Sequence, residues 1–254
     1  MSGPCESVLG TRIDALSWEE TIRRIAGWGA ARESRSVCLA NVHVIVTATR
    51  EAAMRRALDA ADIVLPDGAP VAWTLRRFGH AAQERINGPD LMWRYLAEAE
   101  RSGQIVFFYG STEPTLDRLR LALARGFPRL RIAGMVSPPF QPQSRADVGA
   151  DVRAINACGT QILFVGLGCP KQEKWMAAQR GQVHAVMIGV GAAFDYHAGT
   201  LRRAPLWMQH KGLEWCFRLY KEPRRLFRRY LVTNTLFILR LSAQLAGRLR
   251  QRSR

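Results

Sequence analysis

The chain has 254 residues, 48% hydrophobic and 23% charged, which is enough to bury a substantial core and too apolar for a disordered protein. Five scattered cysteines without a Cys-x-x-Cys pair exclude a disulfide scaffold, a zinc ribbon and a thioredoxin-type dithiol; Glu6, Asp14, Glu19 and Glu20 argue against a signal peptide, so a cytoplasmic protein is expected. The net charge of +16 is uneven: residues 202–254 hold 14 Lys/Arg and 2 Glu, whereas residues 1–201 hold 23 Lys/Arg and 19 Asp/Glu.

In chain order, Ser17 and Glu20 fit a capping box that opens an amphipathic helix to about Ala31. Residues 36–40 form a short buried strand, followed by a helical stretch over 42–60. A second apolar run, 62–65, stops at Pro66-Asp67-Gly68. Helices are expected over 69–78, 89–101, 112–124 and 147–158. Strands are expected over 104–109, 130–133, 161–165 and 185–188, and Pro138, Pro139 and Pro142 mark an irregular loop. Short apolar strands alternating with amphipathic helices predict an α/β fold. It is a Rossmann-like parallel sheet with helices on both faces, in a domain spanning 1–201.

Residues 202–254 are expected to form a basic helical appendage. Its first half, 206–230, mixes aromatics with bases. Its second half, 231–249, is apolar but interrupted by Asn234, Arg240, Gln244 and Arg248, which excludes a spanning helix. A helical projection puts Ile238, Leu241, Leu245 and Leu249 on one face and Arg240, Gln244 and Arg248 on the other. That pattern suits a helix lying in an anionic membrane surface; packing on the protein's own core is the alternative. The concentrated charge favours the membrane surface.

Several glycine-rich or acidic turns follow predicted strands. Gly166-Leu-Gly-Cys-Pro-Lys-Gln-Glu173 opens a helix. Gly166 and Gly168 permit close backbone approach, Lys171 can neutralise a phosphate, and Gln172 can hydrogen-bond a sugar or base. The segment is neither a Walker A loop nor a GxGxxG turn, and as a bare pattern an ordinary βα turn is the better explanation of it. Asp67 falls at a strand's carboxyl end, where a carboxylate can act as general base, although Pro-Asp-Gly is also ideal turn composition. Asn41 has the same location and either reads a ligand or caps the next helix. Arg85 can orient a phosphate or pair with a carboxylate. Asp90 suits a helix start, and Asp195 and His197 suit either structural roles or an acid/base pair. No metal-ligand spacing is present. On composition alone, a basic nucleic-acid-binding protein or another Rossmann-type nucleotide-binding enzyme remains open.

The ordered set Asn41, ADIVLPDGAPVAW (61–73), ERINGPDL (84–91), FFYGS (107–111), ILFVGLGCPKQEKW (162–175) and 186–230 resembles the WecG/TagA/CpsF glycosyltransferase family. The resemblance runs from about Val8 to Tyr230; residues 231–254 carry no distinctive family pattern, and Asn41-Val-His43 stands where many of the family read Asn-Pro-Glu. It implies an inverting, metal-independent enzyme without a cofactor. Such an enzyme moves a sugar from a UDP-sugar to a polyprenyl-diphosphate-linked saccharide on the cytoplasmic face of the membrane. By motif, Asp67 is the implied base, Asn41 lines the substrate pocket, and Gln172 contacts the nucleotide-sugar. Arg218, Arg225 and Arg228 contact the diphosphate. An anionic membrane surface is an implied partner, nucleic acid is not, and a homo-oligomer is compatible with the sequence.

Overall fold

The computed structural model describes residues 3–139, 141 and 144–252. Pro142 and the side chains of Arg225 and Leu249 lie outside the described residues. The chain opens with a hairpin, β1 (Cys5–Val8) and β2 (Thr11–Asp14), then α1 (Trp18–Ala30), β3 (Arg35–Ala40), α2 (Val42–Arg50), α3 (Ala52–Asp59) and β4 (Ile63–Pro66). It continues through α4 (Ala69–Arg77), α5 (Gly88–Ser102), β5 (Ile105–Gly110), α6 (Glu113–Gly126), β6 (Arg131–Val136) and α7 (Arg145–Ala157). Next come β7 (Ile162–Gly166), α8 (Lys171–Ala178), β8 (Val186–Gly189) and α9 (Ala193–His197). Three helices, α10 (Leu206–His210), α11 (Glu214–Lys221) and α12 (Pro223–Arg252), complete the described chain.

Strands β3 to β8 form one parallel sheet in the order β4-β3-β8-β7-β5-β6. The period-two alternation of each strand feeds two cores. Cys38, Ala40, Val64, Tyr109, Leu163, Val165 and Met187 face one cluster, shared with α2, α3, α7 and α8. Val37, Leu39, Ile63, Phe108, Phe164 and Ile188 face the other, shared with α1, α5, α6 and α9. With helices on both faces, the strands' carboxyl ends form one open edge. There β7 and β5 send their following helices to opposite faces, the arrangement that opens a crevice in such sheets.

Four points of the sequence reading are corrected. The stretch 42–60 is two helices, broken at Glu51, whose backbone is extended (φ −128°, ψ 107°). A straight helix of that length would run about 28 Å, past the end of a six-residue strand of about 20 Å, and the break turns the chain back toward β4. The β1–β2 hairpin was not anticipated because its turn places Leu9 (φ 50°) and Gly10 (φ 81°) in the left-handed region, where leucine is uncommon. Tertiary contacts hold it: the Leu9 amide donates to Gln244 Oε1 at 3.0 Å, and Leu9 packs on the sheet's first core. Ser17 does cap α1, accepting from the Glu20 amide at 3.1 Å, but the Glu20 carboxylate pairs with Arg23 and Arg24 and does not close the box.

The fourth correction concerns α12. The helix starts at Pro223, spans the 230/231 change in composition, and lies along α2. Phe237 and Leu241 are buried in the sheet's first core, with Leu236 and Leu245 packed beside them. Leu241 and Ile238 therefore do not share an outward face. Arg240 donates to Thr49 Oγ1, Gln244 Nε2 to the Ser7 carbonyl at 2.7 Å, and Arg248 pairs with Glu6 at 2.7 Å while covering the Phe78 ring. The polar residues thus grip the body, and Leu231, Val232, Ile238 and Leu239 are exposed. Among the described residues no helix is long and apolar enough to cross a membrane.

Candidate functional site at the carboxyl edge of the sheet

The parallel register pairs Ala40 with Pro66, and the Asp67 amide extends the ladder to the Ala40 carbonyl at 3.1 Å. Residues 41 and 67 therefore leave the sheet side by side. Asn41 fills both roles that its position allows. Its Oδ1 accepts the Val44 amide at 3.1 Å, capping α2, and its Nδ2 donates to Asp67 Oδ2 at 3.0 Å. A Cβ at position 68 would sit 3.4 Å from that of Asn41, so Gly68 lets the turn close against it. Burial pushes the Asp67 pKa up. The nearby Arg85 guanidinium and the Asn41 hydrogen bond oppose that rise, Glu214 adds to it, and Arg218 draws it down. The result is a carboxylate more basic than usual, which suits proton abstraction.

The segment after 201 docks beside this acid. Glu214, at the start of α11, pairs with Arg85 at 2.5 Å and with Arg203 at 3.5 Å. Arg203 in turn pairs with Asp90 and donates to Asn87 Oδ1 at 3.3 Å. Asn87 caps α5 by accepting the Asp90 amide at 3.0 Å. The Arg85-x-Asn87-x-x-Asp90 motif is thus a polar seat for residues 203–214. Arg85 is engaged by Glu214, with its side chain 20% exposed beside Asp67. Arg218 is half-buried: burial lowers its pKa, and Tyr196, Tyr230, Asp67 and Glu222 more than restore it. The Tyr196 hydroxyl shares that environment and is pushed up to about 12, chiefly by burial.

The glycine turns form a second group. Gln172 is buried; its Oε1 accepts the Gly191 amide at 3.0 Å and its Nε2 donates to Glu173 Oε1 at 2.9 Å. It ties the β7 turn to the β8 turn. A Cβ at Gly166 would meet the Phe194 ring at 2.9 Å, and one at Gly110 would meet the Gly166 backbone at 2.5 Å, so these glycines answer to internal packing. Gly168 differs: it has φ +74° with open space around it. Lys171 is exposed at the start of α8, and Arg228 is exposed near the start of α12. Asp195 and His197 have separate partners. Thr115 donates to Asp195 at 3.4 Å, while His197 reaches the Pro89 carbonyl at 2.8 Å and stacks on Trp93.

Sequence reasoning brought Asn41, Asp67, Arg85 and Arg218 into one neighbourhood and missed the residues that organise it. Glu214 and Arg203 clamp the appendage. Arg229 lies close enough to His43 and Cys169 to act on the pKa of both. Burial, then Arg229, holds His43 down at about 4, so its ring is neutral near pH 7. His43 Nδ1, Arg218 Nε and Arg229 Nε are buried without a hydrogen-bond partner among the described residues. Glu214 had a legible signal, as one of two acids in a strongly basic segment. Among the described residues no group of three or more His, Cys, Asp or Glu side chains could hold a metal ion.

The family model described as glycosyl transferase, WecG/TagA/CpsF family, matches residues 6–251. The match runs along α12 as far as residue 251, beyond the motifs legible in the sequence, and includes every residue of the Asp67 rim. The chain belongs to the WecG/TagA/CpsF family of glycosyltransferases, which serve cell-wall polysaccharide synthesis.

Proposed function

We propose that the protein transfers a sugar from a UDP-sugar to a saccharide carried on a polyprenyl diphosphate, with inversion at the anomeric carbon. The observation that carries this reading is the juxtaposition of a raised-pKa acid, Asp67, with the basic C-terminal segment clamped beside it through Arg85 and Glu214. Asp67 takes the proton from the acceptor hydroxyl. The hydroxyl oxygen attacks the anomeric carbon from the face opposite UDP, and the bond to the diphosphate oxygen breaks. Asn41 fixes the orientation of the Asp67 carboxylate through its amide. Negative charge grows on the leaving diphosphate, and guanidinium groups of the appendage meet it: Arg218 beside Asp67, together with Arg228. Preorganised charges of this kind act at full strength because they need no reorganisation during the reaction. Gln172, by holding the β7 and β8 turns together, shapes the nucleotide side of the pocket, while Gly168 and Lys171 line its open rim.

The acceptor's lipid also suggests where the enzyme works. Exposed Ile238 and Leu239 lie between exposed Arg224 and Arg228 at one end of α12 and Arg250 at the other. An apolar strip with basic ends suits a peripheral seat on an anionic membrane, here the inner face of the cell membrane. The test is UDP release from a panel of UDP-sugars with a polyprenyl-diphosphate-linked sugar as acceptor. One donor is expected to give acceptor-dependent release with an inverted product linkage. Release that is indifferent to the acceptor, or a retained anomer, overturns the reading.

A further inference from the structure

Beside α12 lies a shallow groove of about 590 Å³, lined by Arg50 at the end of α2 and by Leu231, Val232, Thr235, Leu236 and Arg240. We propose that this groove binds the hydrocarbon chain of a prenyl diphosphate, so that the acceptor lipid is recognised by its chain as well as by its phosphates. The proposal rests on the lipid-linked acceptor of the function proposed above and adds to it a subsite for the chain.

Three observations carry it. The groove is shallow and open and its floor is apolar, with Leu231, Val232 and Leu236 in line along α12, so an extended hydrocarbon chain can lie along it. It starts one turn beyond Arg228 on the same helix; from residue 228 to residue 236 the helix rises about 12 Å. A chain attached to a diphosphate held at Arg228 therefore runs directly over Leu231, Val232 and Leu236. Finally, charge brackets the apolar floor: Arg228 precedes it, and exposed Arg50 and Arg240 flank its far end, where the chain leaves for the lipid phosphates of a bilayer. That order of exposed base, apolar track and two further bases is complementary to an amphiphile drawn partly out of a membrane. Leu231 is 58% exposed and Val232 38%, so neither is accounted for by the protein's own core.

Two water-soluble probes remove the bilayer from the test. Calorimetry with the full-length protein compares farnesyl diphosphate with inorganic diphosphate. The wild type is expected to bind the farnesyl compound about tenfold or more tightly, equivalent to about 1.4 kcal/mol. The double substitution Leu231→Asn with Val232→Asn, which adds no charge beside Arg228, is expected to erase that preference and leave inorganic diphosphate binding unchanged. Thr235→Gln, which narrows the groove from an exposed position without adding charge, should do the same and covers the case in which the double variant fails to fold. Ile238→Asp, on the neighbouring outward strip, should keep the farnesyl preference while losing affinity for anionic phosphatidylglycerol vesicles. Absence of a farnesyl preference in the wild type, or its survival in folded groove variants, overturns the proposal. So does a result in which the groove variants lose vesicle binding alone, which would make the groove part of the bilayer contact. A chain preference that depends on the groove in a protein that transfers no sugar would sustain the subsite and remove the function proposed above.

Discussion

The body of the molecule and its C-terminal segment are held in place by different physics. In the body, strands β3 to β8 bury both faces, and alternate residues feed two apolar cores. Position follows from periodicity, because a one-residue slip would exchange the two cores. The C-terminal segment is fastened at two separate places. Near the site it is held by ion pairs of Glu214 and Arg203 with Arg85 and Asp90; along α2 it is held by Phe237 and Leu241. The rim around Asp67 is therefore a composite. The sheet supplies the acid, and a polar clamp, not a continuous core, brings the basic segment to it.

The sharpest way to break this division is Asp67→Asn. Loss of a general base is expected to lower kcat by about 10² to 10⁴, while UDP binding persists. Asparagine keeps an oxygen that can accept from Asn41 and removes a carboxylate whose ionised form is disfavoured by burial. The variant's Tm near neutral pH should therefore be no lower than that of the wild type. Acceptor-dependent UDP release, calorimetry with UDP and a thermal melt read the three quantities. Near-normal turnover removes Asp67 from the reaction, and a collapsed Tm turns it into a structural residue.

The second test compares neighbours on α12. Phe237→Ala leaves a hole in the core shared with α2 and should cost about 3 to 5 kcal/mol of unfolding free energy. Ile238→Ala changes a side chain that is 61% exposed and should remain within about 0.5 kcal/mol of wild type. Urea unfolding distinguishes them. Equal costs would mean that α12 does not rest on the body through the face described. The same packing makes truncation at residue 231 a poor test of membrane binding, because it removes Phe237 and Leu241 from the core as well as the outward strip.

The two regions also differed in how much could be read from sequence. Short apolar runs, each followed by a turn, identified the strands of the sheet and placed Asn41 and Asp67 at strand ends; parallel pairing then brought them together. The clamp was less legible, because an ion pair such as Arg85 with Glu214 joins residues 129 positions apart and leaves no periodic trace. Helical periodicity also misassigned α12, whose two sides are both apolar in part: Phe237 and Leu241 face inward, and Leu231 and Ile238 face outward. Pattern alone could not choose the phase. In the glycine turns, composition suggested ligand approach at Gly166, where the structure shows close packing against Phe194.

The smallest expected effect probes the clamp through the acid it borders. Burial raises the Asp67 pKa; Arg85 lowers it, and Glu214 raises it again. Glu214→Gln removes one negative charge near Asp67 and relieves Arg85 of its carboxylate partner, so both changes favour the ionised form of Asp67. Its pKa should fall, and the acidic limb of the kcat profile should move to lower pH. The stability linkage has a definite sign. In the wild type the folded protein holds the Asp67 proton more tightly than the unfolded chain does. That contribution is present below the unfolded pKa and is lost as pH rises through the folded one. The variant, with a pKa closer to that of the unfolded chain, should lose less stability over that interval, although loss of the clamp lowers its stability at every pH by about 1 to 3 kcal/mol. Activity and urea unfolding measured on the same pH series separate the two effects. An acidic limb that stays in place or moves upward would mean that Glu214 anchors the appendage without acting on the acid beside it.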